Sequence, residues 1–202
     1  MSAAELVVVV LALPDSDRDL SGRQRVARSS QRAREALRRA AELSNAELGE
    51  LEKDSLDAPR PSAGWHWSIS HAGDRAAGVV ARQAVGVDLE PMRERRAELV
   101  EMALNEEERR LLSSFGRPGD EAFVRGWTAK EAVLKKLRVG LTQLSRCRVV
   151  AAPELDVLEL EHDGRLHRAR LSREGGTTVA VSVDGPDLPV CWVREPAREM
   201  AT

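Results

Sequence analysis

Apolar positions first gather in an unbroken run. Residues 5–13 are Val-rich and stop at Pro14, which predicts a buried β-strand. An acidic, turn-like stretch over residues 15–22 follows, and then the period changes. Ala33, Leu37, Ala40 and Ala41 share one face of a basic segment, which predicts a helix over residues 23–43. Ser44-Asn45-Ala46-Glu47 reads as the start of a short further helix. Residues 57–64, with two prolines and a glycine, admit only a loop.

Further on, residues 65–69 alternate and residues 76–87 are small and β-branched. They read as two adjacent strands, with His71-Ala72-Gly73-Asp74 turning between them and an interruption near Arg82-Gln83. From Arg93 the character is helical. Asn105 suits the N-cap of a helix over residues 106–114, with acids in its first turn and Arg109 and Arg110 later. A loop at residues 115–119 precedes a second helix, opened by Asp120, carrying Phe123, Trp127, Val133, Leu134 and Leu137, and ending by Gly140. The remainder has the pattern of antiparallel sheet. Residues 157–161 and 166–171 flank His162-Asp163-Gly164 as a hairpin, and residues 177–183 and 190–193 add strands. The expected class is α+β, divided between Pro91 and Ala97 into an N-terminal unit, 1–95, and a C-terminal unit, 96–202, with a frayed tail after Pro196.

Composition narrows the function. The 202 residues, 42% hydrophobic and 32% charged, suit a soluble protein of one large or two small domains. A formal charge of −2 argues against coating nucleic acid or an anionic membrane with the whole surface. Among 31 basic side chains only Lys53, Lys130, Lys135 and Lys136 are lysines, and three of these fall within seven positions. Cys147 and Cys191 have neither metal-ligand spacing nor a disulfide framework, and read as small apolar fillers. The apolar run at residues 6–13 is too short to span a bilayer and has no basic flank before it, so the expectation is a cytoplasmic protein.

Four clusters carry candidate chemistry. Asp88 and Glu90 alternate at the end of a strand, so both carboxylates lie on one face, as a hard divalent cation requires. The plainer reading is a solvated strand end pairing with arginines such as Arg93. In Lys130-Glu131-Ala132-Val133-Leu134-Lys135, Glu131 and Lys135 stand at i and i+4, a spacing that stabilises a surface helix by roughly 0.2–0.5 kcal/mol. The same helix carries Trp127, Val133 and Leu134, however, and charges on a packed helix are costly unless paired or bound to something. A carboxylate between two ammonium groups suits a metal and a polyphosphate together. His71 ends a strand beside Gly73, which is compatible with a ligand approaching closely or with a structural histidine. Finally, residues 18–39 hold eight Arg against Asp19 and Glu35, either a solvated face or an anion site.

Taken in order, Trp67-Ser68-Ile69-Ser70-His71, Val85-Gly86-Val87-Asp88-Leu89-Glu90 and the stretch from Phe123 through Trp127-Thr128-Ala129-Lys130-Glu131 to Lys135 resemble the phosphopantetheinyl transferase superfamily in its longer, monomeric two-lobed form. The match runs from about Arg34 to Leu141. The resemblance implies two similar α+β lobes related by a pseudo-twofold, with the active site in the cleft between them. It implies transfer of the 4′-phosphopantetheine arm of coenzyme A to a serine of an acyl or peptidyl carrier protein, with release of 3′,5′-ADP. It also implies magnesium held by Asp88, Glu90 and Glu131, with Glu131 as the base and Lys135 on the pyrophosphate. Lys130, His71, Arg34 and Arg60 are implied contacts to coenzyme A. Arg60 stands where relatives often have lysine, and Arg138 where they often have glycine near the expected carrier surface. The competing classes are a catalytically silent coenzyme A or carrier-binding module and an RNA-binding protein using its Arg-rich helix. Against the latter, aromatics make up only 3% of the chain and include no Tyr, which leaves little stacking surface.

Overall fold

The computed structural model describes residues 5–17, 20–113, 119–185 and 188–196. Strand β1 (Leu6–Ala12) leads through a 3₁₀ turn (Asp15–Asp17) to helix α1 (Gly22–Leu43). Strands β2 (His66–Ala72), β3 (Arg75–Ala81) and β4 (Val85–Pro91) follow. Three helices come next: α2 (Ala97–Ala103), α3 (Glu106–Ser113) and α4 (Gly119–Leu137). A second 3₁₀ segment (Leu141–Arg146) precedes β5 (Cys147–Glu154), β6 (Val157–His162), β7 (Arg165–Glu174), β8 (Thr177–Val183) and β9 (Val190–Glu195). The class is α+β, with a four-stranded sheet ordered β2-β3-β1-β9 and a five-stranded sheet ordered β4-β8-β7-β6-β5.

Two strands cross the boundary expected near residues 91–97. β4 pairs antiparallel with β8 in the second sheet, and β9 returns to run parallel to β1 in the first. The segment expected as one interrupted strand, residues 76–87, is thus divided between two sheets at residues 82–84. The helix expected at Ser44-Asn45-Ala46-Glu47 is absent, because these residues close α1. Asn45 takes a left-handed φ of 50°, its N–H bonds the Glu42 carbonyl and the Ala46 N–H bonds that of Ala41. That paired arrangement is the Schellman ending, which Asn tolerates. β5 has no counterpart in the sequence pattern. The expected 115–119 loop lies almost wholly, and the tail after Pro196 wholly, outside the described residues.

The β1 run is apolar throughout because both its faces are covered. Val8 and Val10 join Val79, Val87, Leu89 and Val181 in a core between the sheets, whereas Val9 and Leu11 pack on Ala36 and Ala40 of α1. On the far side of the second sheet, α4 buries Phe123, Val133 and Leu134 against Leu158, Leu160 and Ala180. Two close approaches set this packing. A Cβ at Gly78 would stand 2.3 Å from the Leu37 nitrogen of α1, and one at Gly86 would stand 2.1 Å from the Ala132 carbonyl oxygen of α4. Gly86 therefore lets α4 lie directly on β4, and the site is built on that contact.

The N-terminus of α3 carries a reciprocal cap. Asn105 Oδ1 accepts from the Glu108 N–H at 2.9 Å, while Glu108 Oε2 accepts from the Asn105 N–H at 2.8 Å.

Candidate functional site

Period two along β4 sorts its side chains. Val85, Val87 and Leu89 enter the core between the sheets, which leaves Gly86, Asp88 and Glu90 facing α4. On α4, the i, i+4 spacing presents Glu131 and Lys135 on one face. Because Gly86 admits the helix so closely, the two faces meet. Asp88, Glu90 and Glu131 each offer an oxygen, all within 4.8 Å of one another.

β2 supplies the next layer. Trp67 packs with Leu37 of α1, while the alternate residues Ser68 and Ser70 turn to β4. Ser68 Oγ accepts from the Val87 N–H at 3.1 Å, and Ser70 Oγ donates to Asp88 Oδ1 at 2.8 Å. Lys135 Nζ donates to the same carboxylate oxygen at 2.6 Å and to Ser70 Oγ at 3.0 Å. Arg95 holds Glu90 Oε2 at 2.6 Å. Asp88 is 3% exposed, and its Oδ2 is buried with no hydrogen-bond partner among the described residues. An unpartnered buried carboxylate oxygen, beside two further carboxylates, fits a hard divalent cation. Among the described residues this is the group whose donors could hold one.

The electrostatics follow from crowding. Burial first, then the charges of Asp88 and Glu90, push Glu131 up to about 8, while Lys135 pulls it down. His71 is held below the ordinary histidine value by burial foremost, then by Lys135 and Lys53.

These groups line a cavity of about 360 Å³, whose wall also includes Ser30, Arg34, Lys53 and His71. Ser30 Oγ lies 3.2 Å from His71 Nε2. A more apolar cavity of about 390 Å³, lined by Leu56, Pro59, Leu134, Arg138 and Leu141, shares Lys53, Ile69, Glu131 and Lys135 with the first. The site thus has a cationic side and an apolar side, with Glu131 and Lys135 on both.

The expected residues divide accordingly. Asp88, Glu90, Glu131, Lys135, His71 and Arg34 come together. Lys130 does not join them. It is 1% exposed, donates to the Ala103 carbonyl at 2.6 Å and pairs with Glu108 at 2.7 Å, so it ties α4 to the segment before α3. Glu108 in turn accepts from the Val149 N–H at 2.7 Å, which adds β5 to the same buried junction. Arg60 lies off both cavities, near Glu52 at 3.8 Å, and its carbonyl accepts from the Trp67 indole. Ser70 lies within the Trp67–His71 stretch with no role implied for it, and no motif marks Arg95 or Lys53. The period-two spacing of Ser68 and Ser70 beside His71 was the one available signal.

The family model of the 4′-phosphopantetheinyl transferase superfamily matches residues 84–193, just over half of the chain. The chain belongs to that superfamily. The matched span contains Asp88, Glu90, Glu131 and Lys135, and begins after Arg34 and His71. Membership supports phosphopantetheinyl transfer as the general activity of this transferase, and the superfamily as a whole acts on coenzyme A and carrier proteins with a divalent metal. No curated protein sequence matches the chain at a significant level. Among the described residues no helix is long and apolar enough to cross a membrane.

Proposed function

We propose that this superfamily member transfers the 4′-phosphopantetheine arm of coenzyme A to a serine of a carrier protein, releasing 3′,5′-ADP. The observation that supports this most is the convergence of Asp88, Glu90 and Glu131 beside Lys135 in a cavity also lined by Arg34, Lys53 and His71. In this reading the three carboxylates hold magnesium, which when bound supplies positive charge for the diphosphate oxygens. His71 and Arg34 bind phosphate oxygens at the nucleotide end. The protein works as a positioning and charge-stabilising frame, in the longer two-lobed, cleft-based arrangement that the sequence resembles.

The carrier serine oxygen attacks the phosphorus that bears the pantetheine arm. The bond from that phosphorus to the 3′,5′-ADP oxygen breaks, and Glu131 takes the serine proton directly or through water. Lys135 offsets the charge that develops on the former bridging oxygen as the 5′-phosphate of 3′,5′-ADP leaves. Burial and the neighbouring carboxylates raise Glu131 in the metal-free protein, and a bound divalent cation would reverse that, leaving the carboxylate ionised to accept the proton.

The reading is tested by incubating the protein with coenzyme A, magnesium and a broad panel of apo carrier proteins, and following carrier mass. Gain of one phosphopantetheine on any carrier supports it, and no modification of any member sinks it. The silent-module alternative predicts that Glu131→Gln behaves as wild type.

A further inference from the structure

Lys53 lines both cavities, yet no motif marks it. Lys135 is already engaged by Asp88 and Ser70, and His71 is held below its ordinary value. On the wall of the cationic cavity, Arg34 and Lys53 therefore remain as the permanent charges not bound to the carboxylate cluster. Lys53 Nζ pairs at 2.7 Å with Asp57, whose side chain is 83% exposed. Such an exposed pair contributes only about 0–1 kcal/mol, so an incoming phosphate oxygen can replace it at little cost.

The segment carrying Lys53 is closed and anchored. The Asp54 N–H donates to the Ala58 carbonyl at 2.9 Å, while Asp54 Oδ1 accepts from the N–H groups of Leu56 at 2.9 Å and Ala58 at 3.0 Å. The other Asp54 oxygen is gripped by Arg138 Nη2. Lys53 itself bridges to Pro59. Arg138 directly follows the last residue of α4, the helix that carries Glu131 and Lys135. Its φ is +61°, a left-handed conformation costing a non-glycine residue about 1–2 kcal/mol. Asp57, which also lines the apolar cavity, has a positive φ too, of 60°. Strain of this kind persists where the surrounding contacts hold it, and it clusters at functional sites.

We propose that Lys53 binds the diphosphate of the substrate, and that Asp54 and Arg138 are positioning residues that clasp its loop to the end of α4. This rests on the transfer reading above. α4 then fixes Glu131 and Lys135 on one side of the diphosphate, and through Arg138 it also fixes Lys53 on the other.

The test is titration calorimetry of inorganic diphosphate and of coenzyme A, with magnesium, on the full chain and on Lys53→Gln, Lys53→Arg, Asp54→Asn and Arg138→Gly. Lys53→Gln is expected to weaken both ligands about tenfold, which is about 1.4 kcal/mol, with the melting temperature unchanged. Lys53→Arg should recover most of the affinity. Arg138→Gly relieves the backbone strain, so its melting temperature should not fall. Its calorimetric affinity for coenzyme A, like that of Asp54→Asn, should fall several-fold, which in carrier modification appears as a raised KM at unchanged kcat. Wild-type affinities in Lys53→Gln overturn the Lys53 assignment, and an unchanged coenzyme A affinity in Arg138→Gly overturns the clasp. If no carrier is modified by wild type while Lys53→Gln still loses diphosphate, the transfer reading falls and the anion site stands.

Discussion

At the scale of single residues, Glu131 is where burial, charge and chemistry meet. Its folded-state pKa, pushed up to about 8 from an ordinary 4.5, means that the folded protein binds this proton more tightly than the unfolded chain does. Stability of the metal-free protein therefore declines as pH rises from about 4.5 to 8, since over that window the folded state holds the proton and the unfolded state has lost it. Glu131→Gln removes that liability. It should raise the metal-free melting temperature at pH 8–9 by at least about 2–4 °C, the shift expected per kcal/mol for a protein of this size. Magnesium should stabilise the wild type and not the variant. Activity of the variant should fall by about 10²–10³-fold, while coenzyme A affinity stays within about threefold. Thermal melts with and without magnesium, together with calorimetry, check each part; a variant that magnesium still stabilises fully contradicts the ligand assignment.

Cys147 offers a second check at the same scale. Burial, more than any neighbouring charge, pushes its thiol up to about 12, whereas Cys191 is half-buried. A thiol reagent at pH 8 should modify Cys191 alone in the native protein and both residues after unfolding. Rapid native labelling of Cys147 would contradict the buried placement.

At the scale of elements, the decisive contact is α4 on β4. Gly86→Ala puts a methyl carbon against the Ala132 carbonyl and must push the helix away. The variant should lose magnesium-dependent stabilisation even where it remains folded, as melts and circular dichroism would show. Lys130 separates structure from catalysis. Breaking a buried ion pair by removing one partner costs about 3–5 kcal/mol. Lys130→Met should therefore melt well below wild type yet keep KM for coenzyme A below its transition, while the opposite result would return Lys130 to the phosphate site. Lys130 lies apart from the carboxylate cluster for a geometric reason. Adjacent residues on a helix do not share a face, so Lys130 and Glu131 point to different neighbours, whereas Glu131 and Lys135 coincide. Local periods were legible: the apolar run of β1, the Ala33-Leu37-Ala40 stripe of α1, the Asn105 cap and the Asp88/Glu90 alternation all appear as read. The role of Ser70 was not legible, because its partner Asp88 stands 18 residues on and in another sheet.

At the scale of the molecule, strand exchange joins the two halves. β4 belongs by sequence to the first half and by pairing to the second, and β9 does the reverse. No local pattern could reveal this, since pairing is a non-local choice among strands of similar composition. Cutting between residues 95 and 96 takes β9 from the first sheet and β4 from the second. Neither fragment should fold alone, and co-expression should restore a folded species, as amide exchange or size-exclusion chromatography would show. Independent folding of both fragments would contradict that coupling.

That one cluster of carboxylates serves one reaction is the central claim. It is tested most directly by intact-mass spectrometry of a panel of apo carrier proteins after incubation with coenzyme A, magnesium and either wild type or Glu131→Gln. Wild type is expected to add one phosphopantetheine to a carrier serine, with 3′,5′-ADP as co-product, and the variant to modify the same carrier about 10²–10³-fold more slowly. Equal modification by both proteins, or none by wild type on any carrier, would contradict it.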